Sequence, residues 1–101
     1  MDKIKKIKWT KDGYSSFEEV IQYIAKDSPY YARTFAKKIL SSIEKLTDFP
    51  EIGRVVPEYN NPKIREIIYQ NYRIVYKTVE DMIFVVLVVH GSRNLEAILI
   101  T

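Results

Sequence analysis

An arginine inside an apolar, strand-like segment is the first residue whose type suggests chemistry. Arg73 lies between Tyr72 and Ile74 in a run of branched and aromatic residues, where arginine is rarely placed for packing. Its planar guanidinium could clamp a phosphate or a carboxylate through paired hydrogen bonds. The alternative is a surface ion pair with Glu66, which would contribute little to stability. Both interpretations stay open at this point.

Arg93 and His90 could serve the same chemistry from the end of a second apolar run. His90 follows the run Met82–Val89, and Arg93 comes three residues later, so Arg93 would approach Arg73 only if the chain turns inward there. His90 could donate or accept a proton near neutral pH. Because it is the single histidine of the chain, a structural or simply exposed histidine is the other interpretation.

Two helices are predicted ahead of these segments. Apolar residues at helical spacing indicate a first helix over about Tyr14–Lys26 and a second from Pro29 to about Thr47. Ser28 is a favoured N-cap residue, and proline is favoured at the first helical position. The short connection between the helices predicts an antiparallel helix hairpin.

Strands are predicted on both sides of the helix pair. Lys3–Trp9 precedes it, and a loop over Glu51–Pro62 follows it. Runs rich in Ile, Val, Tyr and Phe then predict strands over Ile64–Tyr69, Tyr72–Thr78 and Met82–Val89. Their two-residue connections indicate hairpins. We therefore predict an α+β fold: an N-terminal strand, a helix hairpin and a three-strand antiparallel meander (β-α-α-β-β-β), with the helices on one face of the sheet.

Counting residues across the two hairpins predicts which side chains share a face of the sheet. Tyr69 would pair with Tyr72, and Val79 with Met82. The more apolar face is assigned to the helices, and the opposite face is expected to be open to solvent. The open face would carry the side chains with charge or acid–base capacity: Glu66, Arg73, Lys77 and His90.

The composition predicts a single domain over residues 1–101 and excludes several kinds of site. A chain of 101 residues with 47% hydrophobic and 29% charged residues is typical of one globular domain. It contains no cysteine, which excludes disulfides and thiolate sites, and with one histidine we expect no metal or other cofactor. No apolar run could cross a bilayer, so we expect a cytoplasmic protein without a membrane partner. The net charge of +3 permits an anionic partner.

Five segments of the chain form a specific combination when they are taken together and in order. They are Ile21-Gln22-Tyr23-Ile24-Ala25, Phe49-Pro50-Glu51-Ile52-Gly53-Arg54, Ile64-Arg65-Glu66-Ile67-Ile68, Asn71-Tyr72-Arg73-Ile74-Val75-Tyr76 and Val88-Val89-His90-Gly91-Ser92-Arg93. Over essentially the whole chain, this combination resembles the RelE/ParE superfamily of toxins from type II toxin–antitoxin modules. The resemblance implies a growth-inhibiting toxin whose partner is a small cognate antitoxin with a disordered segment that folds over the toxin.

The resemblance implies two alternative activities, one enzymatic and one not. RelE-like members cut messenger RNA in the ribosomal A site, where the 2′-hydroxyl attacks the adjacent phosphate. ParE-like members poison DNA gyrase without nuclease chemistry. Ribosome-dependent mRNA cleavage is slightly favoured here, because Arg73 and Arg93 both match the RelE pattern and are expected on one open face. Gyrase inhibition is the alternative.

On the endoribonuclease interpretation, the resemblance implies a role for each site residue. Arg73 and Arg93 would stabilise the charge that develops on the phosphate. The RelE pattern has a lysine where this chain has Glu66 and a C-terminal tyrosine near Leu99, so Glu66 would act as the base and His90 would supply a proton. Three further cations would bind the substrate: Arg54, Arg65 and Lys77.

Overall fold

The first helix begins at a polar capping residue. The computed structural model describes residues 6–98, starting with strand β1 (Lys6–Trp9) and helix α1 (Lys11–Ala25). The Thr10 hydroxyl accepts a hydrogen bond from the Gly13 N–H at 3.0 Å, which satisfies one of the free donors at the helix start. The helix therefore begins three residues earlier than predicted. The prediction missed the first turn because that turn is polar and the prediction relied on the spacing of apolar residues.

The second helix begins where the sequence placed it. Helix α2 spans Pro29–Glu44 and continues as a 3-10 turn over Lys45–Thr47. The Ser28 hydroxyl accepts a hydrogen bond from the Tyr31 N–H at 3.0 Å, and Pro29 occupies the first helical position. Among residues 6–98, no helix is both long and apolar enough to span a membrane.

The strands after β1 are β2 (Arg54–Val55), β3 (Ile64–Tyr69), β4 (Tyr72–Val79) and β5 (Met82–His90). The described strands form one sheet in the order β1-β5-β4-β3-β2. β1 pairs parallel with β5, and the remaining neighbours pair antiparallel. The short strand β2 lies inside the segment predicted as a loop, whereas residues 3–5 of the predicted first strand lie outside the described residues.

The helices cover one face of the sheet and form the larger core with it. Buried residues of α2 pack against buried residues of β4 and β5, while partly buried residues of α1 complete the layer. This agrees with the predicted α+β arrangement. The fully buried members of this core include Phe35, Ile39, Leu46, Ile74, Tyr76, Ile83, Val85 and Val88.

A β-bulge in β5 changes which of its side chains share a face. Both predicted turn pairs, Tyr69 with Tyr72 and Val79 with Met82, are present. The register between β4 and β5 then shifts by one residue at Val86. An extra residue moves every later side chain to the opposite face. The prediction that His90 shares a face with Arg73 is therefore wrong, since His90 lies opposite Tyr72 and Arg73 lies opposite Val89.

The face that carries Arg73 is covered, which corrects the expectation of an open face. A second apolar cluster, here called the outer core, lies on this face and includes chain from the loop after β2 and the segment after β5. The Tyr59 hydroxyl contacts the Leu95 and Ile98 carbonyl oxygens and so joins these two segments. The buried members of the outer core are Val56, Ile64, Val75, Val86, Val89 and Leu95.

Replacing Gly13 with alanine is expected to destabilise the protein. A Cβ at this position would lie 2.0 Å from the Val85 carbonyl oxygen, a backbone atom that cannot rotate away. Overpacking of this kind costs about 1–3 kcal/mol, whereas glycine to alanine in an unobstructed helix is favourable by up to about 1 kcal/mol. Urea denaturation of Gly13→Ala beside Ser15→Ala, an exposed position of the same helix, measures the difference. Equal stability of the two variants would contradict the close packing of α1 on β5.

Candidate functional site

Arg73 is the second residue of β4, the central strand of the sheet, and it is held by two carboxylates. Its side chain is buried, and the residue is 5% exposed. Nε donates to Glu66 Oε1 at 2.6 Å. Nη2 and Nη1 donate to the two carboxylate oxygens of Glu58 at 2.7 and 2.9 Å, and Nη1 also donates to the Arg93 carbonyl at 3.0 Å. Four of the five N–H donors that a guanidinium offers are therefore engaged within the chain.

Glu66 lies on β3 between two arginines. It is 1% exposed, its Oε1 accepts from Arg73, and its Oε2 accepts from Arg54 Nε at 2.7 Å. Arg54 lies directly opposite Glu66 across the β2–β3 pair, and its side chain is 58% exposed. The ion pair considered for Arg73 and Glu66 is thus present in the structure. It is buried rather than on the surface, which makes it costly to break.

Glu58 is the member of this cluster that the sequence analysis did not identify. It lies in the loop after β2, and its Oε2 also accepts a hydrogen bond from the Leu95 N–H at 3.2 Å. Hydrogen bonding from Arg73 lowers the pKa of Glu58 from 4.5 to about 2, although burial opposes the shift. One signal in the sequence could have pointed to Glu58. Arg73, in a central strand, and Arg54 carry two positive charges, and the single carboxylate of Glu66 cannot compensate both.

Arg93 approaches Arg73 only through its backbone. Its carbonyl accepts from Arg73 Nη1, while its side chain is exposed and forms no ion pair with any residue of 6–98. His90 is also exposed. Its ring lies edge-on to Tyr72 with 5.6 Å between centroids, and its Nδ1 is 2.9 Å from Ser92 Oγ.

The remaining predicted substrate contacts have different positions. Arg65 braces the loop before β3, because its Nε donates to the Pro62 carbonyl at 2.9 Å and its Nη1 donates to the Gly53 carbonyl at 3.0 Å. Lys77 lies on β4 opposite Ile64, four residues from Arg73. Leu99, where the resemblance implied a tyrosine in the RelE pattern, lies outside the described residues.

Two shallow grooves meet at the end of β5. Arg54, Arg73 and His90 line the smaller one, of about 350 Å³, together with Ser92. The larger one, of about 620 Å³, lies between α1 and the end of β5 and includes His90 and Arg93. The structure therefore brings three of the predicted site residues to one groove, while Glu66, Arg65 and Lys77 do not line it.

This arrangement offers an anion little free hydrogen-bonding capacity at Arg73. The Glu58 and Glu66 carboxylates raise the pKa of Arg73 above its usual value, so the group stays charged, but its charge is compensated within the protein. A phosphate would have to displace a carboxylate to reach it. Within residues 6–98, no cluster of three or more acidic or histidine side chains could hold a metal ion. The catalytic and substrate-binding roles of these residues stay predictions.

Comparisons with known proteins connect the fold to a family. No curated protein sequence matches the chain. A solved structure described as a chromosomal ParDE TA system from P. aeruginosa superposes with a TM-score of 0.70, with 14% sequence identity, covering 86% of this chain and 96% of that one. The family model described as ParE toxin of type II toxin-antitoxin system, parDE, matches residues 7–95. The chain therefore belongs to the ParE toxin family, within the RelE/ParE superfamily that its sequence resembles.

Proposed function

We propose that this toxin inhibits DNA gyrase by binding it, without cutting RNA. The observation that carries the proposal is the engagement of Arg73 by Glu58 and Glu66 at 2.6–2.9 Å. A group that stabilises a phosphate transition state must present its donors to the reacting oxygen atoms, and four of the five donors of Arg73 are already occupied. The preference for mRNA cleavage depended on an open face carrying Arg73 and Arg93, and that premise is not met. Membership of the ParE family also supports the binding alternative.

The surface of the helix pair is suited to protein contacts. Tyr14 and Tyr23 on α1 are 56% and 68% exposed, and Tyr30 on α2 is 73% exposed. Tyrosine is enriched at protein interfaces because it combines a large apolar area with a hydroxyl group. An inhibitor that acts by binding needs a surface of this kind, whereas a ribonuclease needs converging acid–base groups.

A cognate antitoxin is the second partner that we propose. The family is described as the toxin of a toxin–antitoxin system, and the similar solved structure is described as a ParDE TA system. A disordered antitoxin segment would become ordered as it binds and would cover apolar surface of the toxin. The segment would lose conformational entropy in the process. Exposed tyrosines such as Tyr23 and Tyr30 supply apolar area of this type.

Two assays with the purified protein test the proposed activity. In a supercoiling assay with DNA gyrase, we expect the protein to reduce the supercoiled product. In a coupled translation reaction mapped by primer extension, we expect intact message. His90→Ala and Arg93→Ala should leave gyrase inhibition within about twofold of the unmodified toxin, because neither side chain serves chemistry on this proposal.

Ribosome-dependent RNA cleavage is the competing function, and one observation favours it. Arg54, Arg73 and His90 line the same groove, as a phosphate-binding site would require. New 5′ ends confined to ribosome-engaged message, lost by about a hundredfold or more in His90→Ala, would establish the nuclease and remove the gyrase proposal.

A further inference from the structure

Three lysines lie on one face of β1 and β4, the two strands that flank β5, at the end of β4 away from Arg73. On β1, Lys8 is paired with Phe84 of β5, and on the other side of Phe84 lies Lys77 of β4. Lys6 occupies the same face of β1, two residues from Lys8 and opposite Met82. Neighbouring strands are about 4.8 Å apart, so Lys8 and Lys77 originate about 10 Å from each other. We call Lys6, Lys8 and Lys77 the lysine row.

The lysine row carries uncompensated positive charge. Lys6 and Lys8 are exposed and Lys77 is partly exposed. Within residues 6–98, none of the three ammonium groups forms an ion pair. The other side chains on this face of the three strands, Met82, Phe84 and Val79, are apolar. Glu80 and Asp81, the acidic residues that precede Met82 in the sequence, belong to the turn between β4 and β5.

Protection of a sheet edge explains only part of this pattern. Lysines on an edge strand prevent pairing with another chain, and β1 is an edge strand, which accounts for Lys6 and Lys8. Lys77 lies on β4, the central strand of the sheet with β5 and β3 on its two sides. An inner strand has no free edge to protect, so the charge at Lys77 needs another reason.

We propose that the lysine row binds the phosphate backbone of duplex DNA. Lysine ammonium groups bind phosphates as point charges, and duplex DNA presents one negative charge per about 1.7 Å of its axis. Such contacts position a protein on DNA without reading sequence. This inference rests on the proposed function, because an inhibitor of gyrase acts on an enzyme that holds duplex DNA.

The position of Phe84 favours a duplex over a single strand. Binding of single-stranded nucleic acid relies on aromatic rings that are free to stack on unpaired bases. Phe84 is the aromatic residue within the row, and it packs against the outer core, so its ring already has apolar neighbours. What the row offers a ligand is therefore charge. A duplex backbone can bind to this charge without unstacking any base.

Direct binding to DNA tests the inference without gyrase. The probe is a fluorescein-labelled 30-base-pair duplex of mixed sequence, with anisotropy measured between 50 and 200 mM KCl. We expect Lys8→Gln/Lys77→Gln to lower the affinity at least about tenfold at low salt and to reduce the slope of log K against log salt by about 1.8, since each lost phosphate contact contributes about 0.9. The matched control is Lys37→Gln/Lys38→Gln, two exposed lysines of α2 whose removal changes the net charge equally.

The possible results separate this inference from the proposed function. Equal losses in both double variants, no DNA binding by the unmodified toxin, or tighter binding to a single strand of the same sequence would each overturn the DNA-binding inference. The supercoiling assay would still test gyrase inhibition. Conversely, row-dependent binding to duplex DNA by a toxin that leaves gyrase active would support the inference and remove the proposed target. Circular dichroism of both double variants establishes that they are folded.

Discussion

Replacing Arg73 with alanine is expected to lower the free energy of unfolding by about 3–5 kcal/mol, because the buried Glu66 carboxylate loses the buried one of its two arginine partners. Glu66 has no exposed side-chain surface, and Arg73 Nε is its partner on the β4 side at 2.6 Å. The substitution also removes both hydrogen bonds to Glu58 and the bond to the Arg93 carbonyl. Urea denaturation followed by circular dichroism measures the loss.

Arg54→Ala is the matched control for this loss. Arg54 binds the same carboxylate through Nε at 2.7 Å, but its side chain is 58% exposed, and water can replace it. Exposed ion pairs contribute about 0–1 kcal/mol, so we expect Arg54→Ala to be the milder change by several kcal/mol. If Arg73→Ala is as stable as Arg54→Ala, the buried ion pair between Arg73 and Glu66 does not carry the stability that its burial indicates.

The two hairpins could be predicted from the sequence because the signals that determine them are local. The strand runs are bounded by the pairs Gln70-Asn71 and Glu80-Asp81, and Gln70 and Glu80 both adopt positive φ angles of 53°, as tight hairpin turns require. The start of helix α2 could be predicted equally well, because Ser28 and Pro29 mark it in the sequence itself. The two-residue strand β2 could not be predicted, because it is a strand only through its pairing with β3.

The bulge in β5 could not be found by counting residues. Every position over Val85–Val89 is apolar, so the alternation that would mark an extra residue is absent. Without the bulge, Leu87 would face the helices. With it, Val88 enters the main core and Val89 enters the outer core. The assignment of His90 to the face of Arg73 failed for this single reason.

The partners of Arg73 were predictable only in part. Glu66 follows from hairpin register, because β3 and β4 are adjacent in sequence and in space. Glu58 reaches Arg73 from an irregular loop fifteen residues away, and no periodicity fixes where a loop side chain lies. The outer core depends likewise on Leu95 and Tyr59, which meet across a separation of 36 residues. Contacts between residues far apart in the sequence determine whether the candidate site is open to solvent. Such contacts leave no pattern in the sequence around either residue.

Acid should weaken the fold through Glu58, and this effect has a defined direction. Hydrogen bonding from Arg73 holds the pKa of Glu58 at about 2 in the folded protein, against 4.5 for the free side chain. A group with a lowered folded pKa stabilises the protein fully above its unfolded pKa, and that stabilisation is lost as the pH falls through the folded value. We therefore expect the free energy of unfolding to decline from about pH 5 towards pH 2, by up to about 3 kcal/mol from this group.

Urea denaturation at half-unit steps from pH 7 to pH 2 measures this decline, and Glu58→Gln identifies its source. The amide cannot titrate, and its nitrogen cannot replace the second oxygen that accepts from Arg73, so the variant should be less stable at pH 7 and should show a flatter pH profile below pH 5. Glu96→Gln is the control, since Glu96 is exposed and forms no ion pair within residues 6–98. If Glu58→Gln declines as steeply as the unmodified protein, another carboxyl group is responsible. The Glu58–Arg73 contact would then not be what holds the loop after β2 on the sheet.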